Sequence, residues 1–354
     1  MSTTPTTTQI ATTSHSLSSQ EKLQSGQDKV VKVRSSSYII RTFFAGGVAG
    51  CVAKTVIAPL DRVKILFQSS NPQFQKYAGS WTGLFQATRK IYIDSGPKGL
   101  FQGHSATLIR IFPYAAIKFA AFEQIRHHLM PTRQHETHFK NFMAGSLAGV
   151  TSVLCTYPLE LVRVRLAFEV RKDSRVSLRS ICKQIYHESA ASHRRFIHFS
   201  IMNFYRGLTP TIMGMIPYAG VSFWTHDALS EYCRTMLTNI TTDPSLIAGK
   251  KEFLEQDSKV PLKTWAELTV GGLAGAISQT ISYPFEVIRR RMQVYGAIDP
   301  SRFVSIRKTT REIWVKNGLK GFFVGLSIGY LKIIPMIAVS FTVYHRMKLY
   351  IGVY

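Results

Sequence analysis

The chain has 354 residues, of which 45% are hydrophobic and 18% charged, and its formal net charge is +24 at pH 7. The apolar content excludes disorder as a description of the whole chain. The charge by itself admits a nucleic-acid binder, a protein at an anionic membrane surface or a site for an anionic substrate. The four cysteines form no C-x-x-C pair, which argues against a zinc module and against a dense disulfide scaffold.

Residues 1–36 form a segment rich in Ser and Thr, and its first 20 residues contain neither Lys nor Arg. This composition fits neither a secretory signal nor an Arg-rich transit peptide. The segment has too little apolar surface to offset the entropy of an ordered chain. We therefore expect a disordered polar tail.

A unit of about 100 residues occurs three times along the rest of the chain. Pro59, Pro158 and Pro284 begin the strings PLDRVK, PLELVR and PFEVIR, and each follows a G-x-x-x-G pair at the same offset. We expect these prolines to kink membrane helices, where neighbouring helices and water can satisfy the freed carbonyls. The predicted domains are repeat 1 over 37–131, repeat 2 over 138–235, an inserted loop over 236–262 and repeat 3 over 263–351.

Each repeat contains two segments long enough to cross a bilayer. Residues 141–159, 207–225 and 268–285 contain no Asp, Glu, Lys or Arg, and a bilayer needs about 20 apolar residues. Their partners, over 38–60, 104–122 and 326–345, are each interrupted by Lys or Arg. Polar stretches over 79–95, 174–190 and 301–317 predict short amphipathic helices at the membrane surface. The predicted fold is thus an all-α membrane protein with six transmembrane helices in three tandem, pseudo-threefold repeats.

Charged residues recur at one place in each repeat, directly after the proline. An acid follows the proline by two residues and a base follows that acid by three, so each acid and base share a helix face. These residues are Asp61 and Lys64, Glu160 and Arg163, and Glu286 and Arg289. Ionisable groups inside a membrane are costly unless they are paired or hydrated. A ring of ion pairs between neighbouring helices predicts a gate that a substrate must open; static bridges that hold the bundle together are the alternative.

The motif P-x-[DE]-x-x-[KR], three times, followed by G-x-x-x-x-[aromatic]-x-G, resembles the mitochondrial carrier family over residues 38–351. The resemblance implies a multi-pass protein of the inner mitochondrial membrane, with the amphipathic helices on the matrix side. It implies a matrix-side gate that pairs Asp61 with Arg163, Glu160 with Arg289 and Glu286 with Lys64. Gln68 and Gln293 would brace this gate, whereas Ala167 replaces the third glutamine.

The family has a second gate, on the cytoplasmic side, with the motif [FY]-[DE]-x-x-[KR] on the even-numbered helices. The resemblance assigns Glu123, Arg126, Asp227 and Lys348 to it. Ser230 and His345 depart from the motif. We expect a second gate that is weaker than the matrix-side gate.

Gly103, Gly207 and Gly325 precede the even-numbered helices, where free backbone N–H groups attract phosphate. The resemblance makes these sites cardiolipin clamps; glycines that merely start helices are the alternative.

The repeats differ three residues before each proline of the even-numbered helices, where Arg110, Gly214 and Lys332 stand. We expect Arg110 and Lys332 to lack an intramembrane acid. A phosphate is then the partner that would compensate their charge at the lowest cost in free energy. Lys118 adds a third cation. Gly214 and Met215 offer bare backbone and an apolar surface suited to a flat base such as adenine, although Gly214 can instead relieve crowding.

Within the family, the strings from Ala58 to Gln68 and from Tyr157 to Glu169 most resemble coenzyme A carriers of fungal mitochondria and the related Graves disease carrier. The substrate implied is coenzyme A, carried by alternating access between the pseudo-repeats. An adenine nucleotide carrier for ATP, ADP, AMP or ATP-Mg against phosphate is the alternative, because the same cations suit it.

A basic nucleic-acid-binding protein is a remote alternative, since the bases are spread through three repeats and not clustered on one face. We expect no enzyme, cofactor or metal site, because the sequence contains no nucleophile–base set, no G-x-x-x-x-G-K-[ST] and no metal-ligand cluster. One chain with three repeats can close a bundle alone, so we expect a monomer.

Overall fold

The computed structural model describes residues 36–130, 137–170, 177–188, 200–237, 262–299 and 304–352. The predicted tail lies outside the described residues except for Ser36, which begins the first helix. The predicted loop over 236–262 also lies outside them, apart from its ends. The chain divides into two compact units, residues 50–340 and residues 1–49 with 341–354, and the site described below lies within residues 50–340.

The described segments contain ten α-helices. In chain order they are α1 (Ser36–Gln68), α2 (Trp81–Leu100), α3 (His104–Leu129), α4 (His138–Phe168), α5 (Leu178–His187), α6 (Leu208–Met236), α7 (Thr264–Ile298), α8 (Ile306–Asn317), α9 (Leu326–Leu331) and α10 (Ile333–Ile351). Counted from one to six along the chain, the odd-numbered spans are the first span of each repeat, namely α1, α4 and α7. The even-numbered spans are α3, α6 and the pair α9 and α10.

The described part of the chain is an all-α membrane fold with six spans. Four segments combine the length and hydropathy of a membrane span, namely Arg41–Gln68, His104–Leu129, Lys140–Phe168 and Leu319–Ile351. The helices α6 and α7, of 29 and 35 residues, are also long enough to span, and they contain the uncharged stretches 208–225 and 268–285. Along the chain, α3 packs against α4, and α6 packs against α7.

The last span differs from the continuous helix expected over 326–345. It is interrupted at Lys332, which ends α9 before α10 begins. Pro335 has no N–H to donate to the carbonyl four residues earlier. Pro113 and Pro217, at the same place in α3 and α6, lie in continuous helices, so the missing donor alone does not explain the break. Pro59, Pro158 and Pro284, in contrast, lie inside continuous helices.

The short helices α2, α5 and α8 each pack an apolar face on the proline-containing helix of their own repeat. Ile91 of α2 belongs to a buried cluster with Leu66 of α1. Ile185 of α5 packs in the same way with Leu161 of α4, and α8 repeats the arrangement on α7. An amphipathic stripe facing one partner explains why these polar stretches are helical.

Candidate functional site

Three ion pairs join α1, α4 and α7 at the level of the prolines. Their N–O distances are 3.0 Å for Arg163–Asp61, 2.9 Å for Arg289–Glu160 and 2.9 Å for Lys64–Glu286. We call these six residues the charged ring. Each pair joins the acid of one repeat to the base of another, as the i, i+3 spacing and the threefold repetition predicted.

Two tyrosines lie beside the ring and receive the predicted glutamine braces. Gln68 donates a hydrogen bond of 2.9 Å to the hydroxyl of Tyr283, and Gln293 donates one of 3.0 Å to that of Tyr157. The Lys64 ammonium lies 5.1 Å from the ring centroid of Tyr283, within cation–π range. Both tyrosines directly precede the repeat prolines, which is the signal in the sequence that could have identified them.

Glu160 is bonded by more cations than the motif supplies. In addition to Arg289, its carboxylate accepts from Arg110 and, at 2.8 Å, from Arg290. Arg290 also donates to Gln293 Oε1 at 2.9 Å. Arg290 was not among the predicted residues because it stands outside the P-x-[DE]-x-x-[KR] spacing.

The expectation that Arg110 and Lys332 lack an intramembrane acid is wrong. Arg110 bonds Glu160, and the Lys332 ammonium lies 2.8 Å from Asp61. These acids lie 50 and 271 residues away along the chain, so the spacing that the motif provides could not reveal the pairs. Both cations are therefore counter-ions of the charged ring as well as candidate ligands for an anion.

Lys54 is a further cation that the sequence did not single out. It lies on α1, five residues before Pro59, and its ammonium contacts the sulfur of Met336 at 3.5 Å. Within the described residues no acid lies at ion-pair distance from this ammonium. A half-buried ammonium that contacts a thioether is poorly compensated, so an anion would stabilise it.

A cavity of about 520 Å³ is lined by residues of α3, α4, α6 and α7, and Glu286 and Arg289 of the ring are among them. Of the five predicted substrate-binding residues, Lys118, Gly214 and Met215 line it, whereas Arg110 and Lys332 do not, and the binding role of all five stays a prediction. Tyr114 and Phe285 add aromatic surface to the same wall. The lining of the cavity thus combines charged groups with apolar and aromatic surface.

Gly214 also has a packing role. A Cβ placed on it would lie 3.0 Å from the Cβ of Phe285, which is closer than side chains normally approach. This supports the alternative in which Gly214 relieves crowding between α6 and α7. The apolar surface available to a flat base is then formed by Met215 and the aromatic side chains.

The family model described as mitochondrial carrier protein matches the chain three times, over residues 35–133, 134–237 and 260–354. The chain belongs to the mitochondrial carrier family. Mitochondrial carrier protein LEU5 of Saccharomyces cerevisiae is 50% identical to it over 338 residues, which cover 90% of this chain and 92% of the relative. Solute carrier family 25 member 16 of Homo sapiens is 42% identical over 319 residues, covering 89% of both chains. Mitochondrial carrier protein CoAc1 of Arabidopsis thaliana is 34% identical over 325 residues, covering 88% of this chain and 89% of the relative.

Members of this family are transporters, and the threefold repeat and six spans of this carrier are those of the family. Its second gate stays a prediction. Glu123 and Arg126 lie exposed on α3, and Asp227 lies exposed on α6. The Lys348 ammonium of α10 lies 5.8 Å from the ring centroid of Tyr344.

The helix-start glycines of the carrier adopt the left-handed conformation. Gly103, Gly207 and Gly325 have φ values of 85°, 83° and 82° and cap the N-termini of α3, α6 and α9. Glycine adopts this conformation without the steric cost that other residues incur. The glycines therefore act as helix starts, and the cardiolipin clamps stay a prediction.

Repeat 2 of the carrier contains a buried ion triad beside the ring. Glu188, which follows α5, lies 2.9 Å from Arg165 of α4 and 3.3 Å from Arg206. Burial lowers the pKa of Arg206, whereas the Glu188 carboxylate acts in the opposite direction. Glu188 and Arg206 were not among the predicted residues, because they are 18 residues apart and meet only when repeat 2 folds.

Proposed function

We propose that this carrier moves coenzyme A across the inner mitochondrial membrane by alternating access, with the charged ring as its matrix-side gate. The observation that carries the proposal is an excess of positive charge at the ring. Its three acids are matched by its three bases, and four more cations are described around them: Lys54, Arg110, Arg290 and Lys332. A substrate with several phosphate charges would compensate these cations.

The chemistry of the residues that line the cavity supports coenzyme A. Lys118 and Arg289 line the same cavity as Met215 and Phe285, so phosphates and a base can be bound side by side. Coenzyme A contains an adenine, three phosphates and a long thin arm. AMP, ADP and ATP carry an adenine and phosphates without the arm, so adenine nucleotides are the competing substrates to test.

Gating in this proposal depends on the double role of Arg110 and Lys332. A phosphate that binds either cation competes with Glu160 or Asp61 for it. Substrate binding would thereby weaken the counter-ion shell of the ring. Because the ligand gains contacts while the ring loses them, its differential affinity for the two states drives the opening.

The test is uptake of labelled coenzyme A by liposomes that contain the purified carrier, with ATP and ADP as competitors. Arg110→Ala with Lys332→Ala is the test variant, and Lys308→Ala, at an exposed position of α8, is the matched control. We expect uptake that the control retains and the double variant loses. Uptake of ATP without coenzyme A would reassign the carrier to adenine nucleotides, and uptake that the double variant retains would refute the role of these cations.

We further propose a monomer that binds cardiolipin at Gly103, Gly207 and Gly325. The left-handed caps support this proposal because they start helices with free N–H groups. Native mass spectrometry tests both points. We expect one chain with bound cardiolipin, and a dimer or the absence of bound lipid would contradict the respective proposal.

A further inference from the structure

Most cations near the proposed binding site are already paired with an acid of the carrier. Arg289 pairs with Glu160 at 2.9 Å, and Lys64 pairs with Glu286 at 2.9 Å. Arg110 also bonds Glu160. An anion that binds any of these three cations must compete with a carboxylate of the protein for it.

Lys118 of α3 differs from these paired cations. Of the described residues, three charged ones line the cavity of about 520 Å³, and two of them, Glu286 and Arg289, belong to the charged ring. Lys118 is the third, and in the part of the chain that the structure describes no carboxylate lies at ion-pair distance from its ammonium. An anion in the cavity can therefore bind Lys118 without displacing an acid.

Lys118 also breaks the threefold symmetry of the repeats. It stands five residues after Pro113, and the residues at the same place in repeats 2 and 3 are Ser222 and Ser340. A ligand that has no threefold symmetry can be oriented only by groups that differ between the repeats. A single ammonium at this level of the bundle is such a group.

Lys118 and Arg110 lie on one face of α3, two turns apart. Arg110, Tyr114 and Lys118 follow one another at a spacing of four residues, so their side chains share a helix face. The Arg110 guanidinium lies 5.2 Å from the ring centroid of Tyr114. At 1.5 Å per residue, Lys118 stands about 12 Å further along the helix axis than Arg110. Tyr114 and Lys118 line the cavity, whereas Arg110 and Lys332 do not, so phosphates can meet cations at two separate places.

The cavity offers the Lys118 ammonium together with apolar and aromatic surface from Met215, Phe285 and Tyr114. In coenzyme A, the ribose that carries the adenine also carries a phosphate monoester at its 3′ position, whereas the diphosphate leads away to the arm. A phosphate monoester has a charge of about −1.5 to −2 at pH 7 and needs a cation when it leaves water. AMP, ADP and ATP have their phosphates in a single chain. Of these ligands, only coenzyme A presents a separate phosphate beside its base.

From these observations we infer that Lys118 binds the 3′-phosphate of a nucleotide whose base packs on the apolar surface of the same cavity. Lys118 is then a specificity-determining residue, which selects coenzyme A over ligands that lack this phosphate. The cations beside the charged ring, Lys54, Arg110 and Lys332, are left for the diphosphate. The inference rests on the proposed function and adds to it the group that distinguishes coenzyme A from adenine nucleotides.

The test compares coenzyme A with dephospho-coenzyme A, which lacks only the 3′-phosphate. Isothermal titration calorimetry of the purified carrier in lipid nanodiscs gives the Kd of each ligand. We expect the unmodified carrier to bind coenzyme A about tenfold more tightly, as one charge-assisted hydrogen bond provides. Lys118→Ala should bring this ratio to about one by weakening coenzyme A alone, whereas Lys118→Arg should keep the preference. Ser222→Ala, at the same place in repeat 2, is the matched control and should leave both Kd values unchanged.

Two results would overturn the inference. A preference for coenzyme A that Lys118→Ala retains would mean that the 3′-phosphate has another partner. An equal loss of affinity for both ligands in Lys118→Ala would assign Lys118 to the groups that the two ligands share.

AMP and adenosine 3′,5′-bisphosphate separate this inference from the proposed function, because they differ by the same phosphate and have no arm. If the carrier takes up no coenzyme A in liposomes but binds the bisphosphate more tightly than AMP through Lys118, the phosphate site is supported and coenzyme A as the transported substrate is refuted. If the carrier takes up coenzyme A but neither pair of ligands is distinguished, the proposed function is supported and the inference fails.

Discussion

Glu160 forms ion pairs with more cations than either of the other two acids of the charged ring. Its side chain is 2% exposed, whereas that of Glu286 is 27% exposed. Arg110, Arg289 and Arg290 all bond it, so its charge compensates three guanidinium groups in a buried place. A buried charge left without its partner is far more costly than an exposed one.

We therefore predict that Glu160→Gln destabilises the carrier by about 3–5 kcal/mol, because the shape is kept while three cations lose their counter-ion. Glu286→Gln is the matched control and should cost less, since water reaches this carboxylate. Thermal unfolding of the purified carrier in detergent measures both. Equal losses of stability in the two variants would contradict the central place given to Glu160.

A second prediction concerns Gly214. We expect Gly214→Ala to destabilise the carrier by about 1 kcal/mol through overpacking against Phe285. Gly220→Ala, in the same helix with no atom within 4 Å of its Cβ, should be neutral or stabilising. Unfolding temperatures of the two variants decide the point, and similar shifts would show that the close approach has no consequence.

At the scale of the elements, α5 is held by more than its apolar face. Glu188 is 1% exposed and ties the end of α5 to Arg165 of α4 and to Arg206 before α6. Asn203 adds hydrogen bonds of 3.1 Å and 2.8 Å to the carbonyls of Ile185 and Glu188. The surface helix and the span that follows it are thus joined through one buried carboxylate.

Glu188→Gln is predicted to cost about 3–5 kcal/mol, because it leaves Arg165 and Arg206 buried without an acid. The control is Glu231→Gln, whose ion pair with Arg234 is exposed and spans 3.8 Å. Such a pair contributes at most about 1 kcal/mol. Unfolding scans that rank Glu231→Gln as the more harmful change would refute the role of the triad.

At the scale of the whole molecule, ligand binding should be visible as stability. A ligand that binds the folded state alone stabilises it by about 2.7 kcal/mol at 100 times its Kd. We predict that coenzyme A raises the unfolding temperature of the carrier. The rise should be smaller for Arg110→Ala with Lys332→Ala at the same concentration, and an equal rise would place the ligand elsewhere.

The sequence by itself determined the family, the threefold repetition and the six spans, and these were confirmed. The i, i+3 spacing after each proline predicted that the acids and bases share a helix face and can form a ring, and the family resemblance implied which acid pairs with which base. The gating and binding roles of these residues stay predictions. The sequence could also have identified Tyr157 and Tyr283, since both directly precede the repeat prolines.

Only the tertiary structure decided which cations the acids bind and which residues line the cavity. Arg110 meets Glu160, and Lys332 meets Asp61, through helix packing that brings together residues far apart in the chain. The cavity lined by Lys118, Met215 and Phe285 arises in the same way, because a cavity is formed by facing surfaces of several helices and not by one segment. Local spacing determines which residues share a helix face, whereas packing between helices determines which partners each face meets.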